Sequence, residues 1–263
     1  MYRGLTFLLA AAVAPAPAHA ADDSPICPDR PSKGTGTCTV PAGHWQIESG
    51  LIDWTHDTND GVRSDLTVIA ASLVKFGIAD DADLEIGVVP WEISRVRGPG
   101  GRERGSGFGD MLVRGKVRLT GGTARLQVAL DPFVKVPTAK HDLGNGKVEG
   151  GVTVPAGMSL GGPLSIAIAP EVDWRADGDG HGHHAAIVQL IDLGIAATPQ
   201  LSLTAELWGS WDWDPAGTTR QYSADGAVAY LLSNSIQLDA GANFGLNRNT
   251  PDVELYAGVS KRF

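Results

Sequence analysis

The sequence predicts an all-β chain: a transmembrane antiparallel up-and-down β-barrel of about 12 strands with both termini on the periplasmic side. Three observations predict it. From Gly43 onward, apolar and polar residues alternate through successive segments of roughly 10 to 14 residues. The connections between these segments alternate between short and long. The chain also closes on a regular strand, in which Val253, Leu255, Ala257 and Val259 share one face, Glu254 and Tyr256 the other, and Phe263 is the aromatic end.

Residues 1–20 carry one Arg, an apolar run from Leu5 to Ala14 and the small-x-small site Ala18-His19-Ala20, the pattern of a cleaved secretory signal. The apolar run is about half of the ~20 residues a spanning helix needs. Removing the signal takes the formal charge from −9 to −10. Such acidity argues against general nucleic-acid binding. Residues 21–42 read as a periplasmic N-terminal segment rich in Pro, Gly and Lys, and residues 43–263 as the barrel. Cys27 and Cys38 are the only cysteines, and in an exported compartment they are expected to form a disulfide stabilising by about 3 kcal/mol in the chain-entropy model. A two-thiolate metal site lacks the CxxC spacing.

The first strand, 44–55, follows Pro41 and ends at a polar loop. The second, 64–76, places Leu66, Val68, Ala70, Val74 and Phe76 on one face, and the third, 83–94, directs Leu84, Ile86 and Val88 outward, with Pro90 near its end. After a polar loop over 95–106, the fourth strand (108–119) and the fifth (124–136) form a hairpin around TGGT. The sixth (147–160) and seventh (164–175) flank Gly161-Gly162-Pro163; in the seventh, Val172 and Trp174 oppose Glu171, Asp173 and Arg175. The eighth, 185–197, has a weaker pattern, because Val188 and Leu190 lie opposite Ile187, Ile191, Leu193 and Ile195. The ninth (201–213), tenth (220–232) and eleventh (236–247) lead to the terminal strand. Connections after even-numbered strands are short (GIADDA, TGGT, GGP, TPQ, SNS) and those after odd ones mostly longer and polar, as in outer-membrane barrels. Trp54, Trp174, Trp211, Trp213 and Tyr222 fall toward the long loops, and Trp45, Phe76, Tyr230 and Phe263 toward the short turns, giving two aromatic bands.

Cys27 to Pro31 (CPDRP), Thr39 to Gly50 (TVPAGHWQIESG), Gly107 to Lys116 (GFGDMLVRGK) and Gly258 to Phe263 (GVSKRF) resemble the outer-membrane transporter family of the MetA pathway of phenol degradation. The resemblance covers essentially the whole mature chain. It implies an outer-membrane barrel that passes small solutes, aromatic compounds among them. It also implies, in part, that Phe263 is an assembly signal read by the barrel-assembly machinery. Lys261 departs from strict alternation, and a lysine there can snorkel to the periplasmic headgroups.

If apolar residues face lipid, the opposite parity lines the lumen. Arg114, Lys116, Arg118, Arg125 and Lys135 would form a basic wall facing Glu149, Glu171, Asp173, Glu206, Asp239 and Glu254. The charges of the two walls could equally pair and plug a narrow barrel, since twelve strands lie between filled and open sizes. His181, His183 and His184, with Asp177 and Asp179, make a candidate metal-binding loop, for which a flexible solvated loop is the plainer account. Gly105 to Gly109 resembles a phosphate loop but opens a strand rather than a helix. His44 and Glu48 share a strand face, and no Ser/His pair falls on adjacent strands at one depth. The expectation is therefore a channel or transporter and no enzyme, the alternatives being a plugged structural or adhesive barrel or, behind it, a phospholipase-like enzyme. No cofactor is expected. The partners are the outer-membrane lipid bilayer, the barrel-assembly machinery and a small-molecule solute.

Overall fold

A computed structural model of the chain describes residues 24–140 and 143–263. The expected signal sequence, residues 1–20, lies outside the described residues. The described chain is built from strands and connections: β1 (Trp45–Asn59), β2 (Val62–Ala79), β3 (Ala82–Val88), β4 (Trp91–Gly98), β5 (Gly101–Gly107), β6 (Met111–Arg118), β7 (Leu126–Val136), β8 (Glu149–Thr153), β9 (Ala156–Gly161), β10 (Leu164–Ile168), β11 (Glu171–Ala176), β12 (His183–Ala196), β13 (Leu201–Asp214), β14 (Gly217–Ser233), β15 (Ile236–Gly245) and β16 (Val253–Arg262). β3 with β4, β5 with β6, β8 with β9 and β10 with β11 are each one stave interrupted in the middle. Twelve staves result. All pairings are antiparallel, and β1 pairs with β2 on one side and β16 on the other, so the sheet closes on itself and no stave is left as an open edge of the barrel.

Three of the interruptions fall at Pro90, Pro155 and Pro170, where a missing donor breaks the ladder. Backbone bonds still bridge the gaps, Ala129 N to Pro155 O at 2.9 Å and Val154 N to Pro170 O at 2.9 Å among them. The terminal strand pairs as its pattern requires, Gln46 opposite Arg262 through to Trp54 opposite Leu255.

Two expectations are corrected. The polar stretches 56–63 and 95–106, expected as loops, are mostly strand. β1 and β2 run on to a two-residue turn at Asp60 (φ 49°) and Gly61 (φ 79°), and β4 and β5 pair from Glu92–Gly107 to Gly98–Gly101. Alternating polar residues pair as well in water as apolar ones do in lipid, so polarity does not mark where the ladder stops. The described long segments on that side are 137–140, 143–148, 177–182 and 246–252. The second correction concerns β2. Ala70 adopts φ 57° and β1 slips register between Gly50 and Ile52, a bulge that exchanges the faces above it. Ile69 and Trp91 are therefore paired and both exposed, whereas Leu66 and Val68 leave the face of Val74 and Phe76.

Burial is inverted relative to a soluble protein. Leu207 is 57% exposed and Val172 52%, while the side chains most deeply buried include Lys75, Lys116, Glu48, Glu85, Asp83 and Asp131. An apolar belt outside and an ionic interior are what a lipid solvent selects. No described segment is a helix. Both aromatic bands are in place: Trp45 packs at a tilt against Phe76 with centroids 4.6 Å apart at the short-turn end, and Trp211 meets Tyr222 edge-on at 5.7 Å toward the other.

Candidate functional site

The site is the lumen together with the N-terminal segment that enters it. Pro28, Pro31 and Pro41 keep residues 24–42 out of any ladder, and their polar groups turn instead to the barrel wall. The segment rises from the periplasmic end, where Arg262 donates to Ser24 O at 2.7 Å and Ile26 N to Asn234 O at 2.7 Å. At mid-lumen Gln237 donates to Arg30 O at 3.0 Å and Tyr256 to Pro31 O at 2.8 Å. The chain turns after Lys33 and descends, with Thr39 donating to Asp80 O and Val40 N to Asp83 Oδ2, both at 2.8 Å. A Cys27–Cys38 disulfide ties the two limbs near the base, with Cα atoms 6.1 Å apart.

The turn is seated on an apolar patch inside the barrel. A Cβ on Gly34 would lie 3.3 Å from Ala169 Cβ and 3.4 Å from a Leu190 methyl, so glycine gives the close approach. Leu190 is buried there and Val188 is buried on the same face of β12, which explains that strand's irregular pattern: both face inward, not lipid.

Charge on the insert is sorted by direction. Asp29 meets the cations of β2 and β6, its carboxylate 2.7 Å from Lys75 Nζ and 2.8 Å from Lys116 Nζ. Its neighbours point the other way. Arg30 pairs with Asp239 at 2.7 Å, Ser32 donates to Glu206, and Lys33 lies 3.7 Å from Asp225 and 3.8 Å from Glu254. The insert thus presents an anion to Lys75 and Lys116 and cations to Asp225, Asp239 and Glu254.

Of the expected lumen residues, Arg114, Lys116 and Arg118 lie on β6, Lys135 on β7, and Glu149, Glu171, Asp173, Glu206, Asp239 and Glu254 on the acidic staves. Arg125 is elsewhere: β7 starts at Leu126, and Arg125 is exposed in the turn before it. No bare basic wall forms. Lys75 is also 2.7 Å from Glu48 and 3.5 Å from Glu85, Lys116 is 3.3 Å from Glu85, Arg114 is 3.8 Å from Asp131, and Lys135 is 2.7 Å from Glu149. Lys75, Glu85 and Glu48 were not singled out as lumen residues from sequence, although Lys75 between Val74 and Phe76, and Glu85 between Leu84 and Ile86, carry the same alternation signal. Asp29, Arg30 and Lys33 had no periodic signal at all.

Two cavities flank the insert. One of about 780 Å³ opens at the periplasmic mouth beside Cys27, Cys38, His44, Arg118 and Arg262. Another of about 280 Å³ lies between Lys33, Arg30 and the wall, where Leu73, Val89, Leu112 and Arg114 line it.

The three rim histidines do not converge. His181 sits in the turn, His183 stacks on Trp174 and bonds Val148 O at 2.9 Å, and His184 is held between Asp177 at 2.8 Å and Asp212 at 2.7 Å. Among the described residues no group of three or more His, Cys, Asp or Glu side chains is arranged to hold a metal. His44 and Glu48 also part, His44 Nδ1 lying 3.0 Å from Phe263 O while Glu48 accepts from the Asp29 backbone at 2.9 Å.

The family model described as "Putative MetA-pathway of phenol degradation" matches residues 28–263. No curated protein matches. Among solved structures, the fold is similar to an outer membrane channel from Pseudomonas putida F1, with TM-score 0.67 and 16% identity over 86% of this chain and 98% of that one. It is also similar to the NanC porin, with TM-score 0.51 and 9% identity over 82% and 98%. The translocator domain of the autotransporter NalP from Neisseria meningitidis gives TM-score 0.52 and 12% identity over 85% and 90%. At these identities the likeness concerns the fold, which is that of an outer-membrane β-barrel.

Proposed function

The chain belongs to the family described as the MetA-pathway of phenol degradation, and on that premise we propose that it is a non-enzymatic outer-membrane channel passing small solutes, aromatic compounds among them. The observation that carries this reading is the division of the barrel's interior: a closed wall lined by charge, and inside it a segment held to that wall by non-covalent contacts, chiefly hydrogen bonds and ion pairs, with cavities beside it. A wall built only for rigidity has no use for a separable filling. The likeness in fold to the outer membrane channel from Pseudomonas putida F1 supports the same reading. Export by a cleaved signal over residues 1–20, and recognition of the terminal strand with Phe263 by the barrel-assembly machinery of a Gram-negative outer membrane, complete it.

The tight fit of the insert favours a second reading, a permanently plugged structural barrel. Conductance in planar bilayers separates the two. The full mature chain is expected to show small conductance steps, and removal of residues 24–40 several-fold larger ones. Silence from both forms, each folded by heat-modifiable migration, would reject the channel and leave the plug.

A further inference from the structure

Lys33, at the inner tip of the insert, is held differently from its neighbours. Its ammonium stands 4.9 Å from the centre of the Trp208 ring, donates to Ser223 Oγ at 3.1 Å, and is 3.7 and 3.8 Å from Asp225 and Glu254. Arg30 by contrast grips Asp239 at 2.7 Å. Carboxylates outnumber cations around Lys33, because Asp53 lies against Glu254 and Asp192 near Glu206, while Arg30 is committed to Asp239. Asp225 has no exposed side-chain surface, yet its Oδ1 lacks a hydrogen-bond partner, as does the buried Asn243 Oδ1. One loosely held cation therefore occupies a cage of two carboxylates, a hydroxyl and an indole face, with acceptor capacity unused.

Acid groups, a hydroxyl and an aromatic face together select an ammonium group. A coordinated metal ion is a poor alternative, as no described carboxylate group has a metal-holding arrangement. The 280 Å³ cavity lies on the other side of the insert, against Leu73, Val89 and Leu112, so the cage itself is what receives the ammonium group.

We propose that the Asp225–Glu254–Ser223–Trp208 cage is a binding subsite for solutes that carry an ammonium group, and that Lys33 occupies it as a tethered stand-in. The proposal rests on the reading of the barrel as a solute channel. Tethering gives Lys33 a high effective concentration, so it competes with any free ligand, and its removal must tighten that ligand's binding. The insert then serves as an internal competitor, which an incoming ammonium displaces at its tip.

The test uses the full mature protein in lipid vesicles, with benzylammonium and benzyl alcohol as probes, binding read by calorimetry and passage by vesicle uptake. Lys33→Met and Lys33→Gln, the second keeping a polar end for Ser223, should each tighten benzylammonium at least tenfold and leave benzyl alcohol unchanged. Adding Asp225→Asn should remove the gain. Benzylammonium affinity indifferent to Lys33 in folded variants overturns the cage, and passage of benzyl alcohol in that case leaves the channel standing. A tenfold gain without passage of either probe upholds the cage and overturns the channel.

Discussion

The chemistry of the interior is decided residue by residue, and Lys116 shows how. Its side chain is fully buried and bridges Asp29 of the insert and Glu85 of the wall. Removing one partner of a buried pair leaves the other charge without compensation, which costs more than the pair contributes. Lys116→Met should therefore destabilise the folded barrel by about 3–5 kcal/mol in urea titrations in vesicles, and adding Glu85→Gln should restore part of the loss. A merely additive double variant would show that the two groups are not coupled. Alternation makes Lys116 visible in the sequence as an inward residue. It does not reveal the partner, because Asp29 lies far off in sequence in a segment with no period. Leu190 is the converse case: sequence registers it, with Val188, as a flaw in the β12 pattern, and the seated Gly34 against its methyls explains it.

At the scale of elements, the staves were legible and their ends were not. A period of two identifies a strand wherever one face meets lipid, so β13 and β16 fall within a residue or two of their expected bounds. Beyond the membrane both faces meet water, alternation loses its apolar member, and the β4–β5 hairpin reads as a loop. The bulge at Ala70 is likewise silent, since a left-handed alanine has no compositional mark. The rim beyond β12 carries its own control. His184 lies outside the apolar belt and bonds Asp177 of the 177–182 turn and Asp212 of β13, with Asp214 3.9 Å away and Arg175 on the other side of Asp212. Burial opposes its protonation, but the bonds to Asp177 and Asp212 and the charges of Asp212 and Asp214 outweigh that, and its pKa is raised above 6.5. A raised folded-state pKa stabilises fully below the unfolded value and loses that contribution as pH rises through the folded one. The turn should thus resist proteolysis better at pH 5.5 than at pH 9, and His184→Asn should flatten that difference. Equal cleavage of the unaltered protein at both values would refute the clamp.

For the whole molecule the decisive step is closure, and it falls on the pairing of β16 with β1. Phe263 N donates to Trp45 O at 2.8 Å, Trp45 N returns a bond to Phe263 O at 3.4 Å, and Lys261 Nζ sits 4.5 Å over the Phe263 ring. The ring itself is 58% exposed, so it adds little burial to the finished structure. Losing the residue forfeits two backbone bonds and the His44 contact to Phe263 O at a rim, each worth about 0.5–1.5 kcal/mol net, against a ladder of nearly complete register between β1 and β16. We propose that a residue contributing so little to the closed barrel, at the end of the strand that pairs with β1, has its main effect before closure. Until β1 and β16 meet, both are open edges that must be held apart from other chains. Deleting Phe263 should accordingly lower the fraction of heat-modifiable, membrane-inserted protein several-fold in cells, while molecules that do insert keep a urea midpoint close to that of the full chain. A large fall in that midpoint with normal insertion would assign Phe263 to the stability of the seam instead of to its assembly.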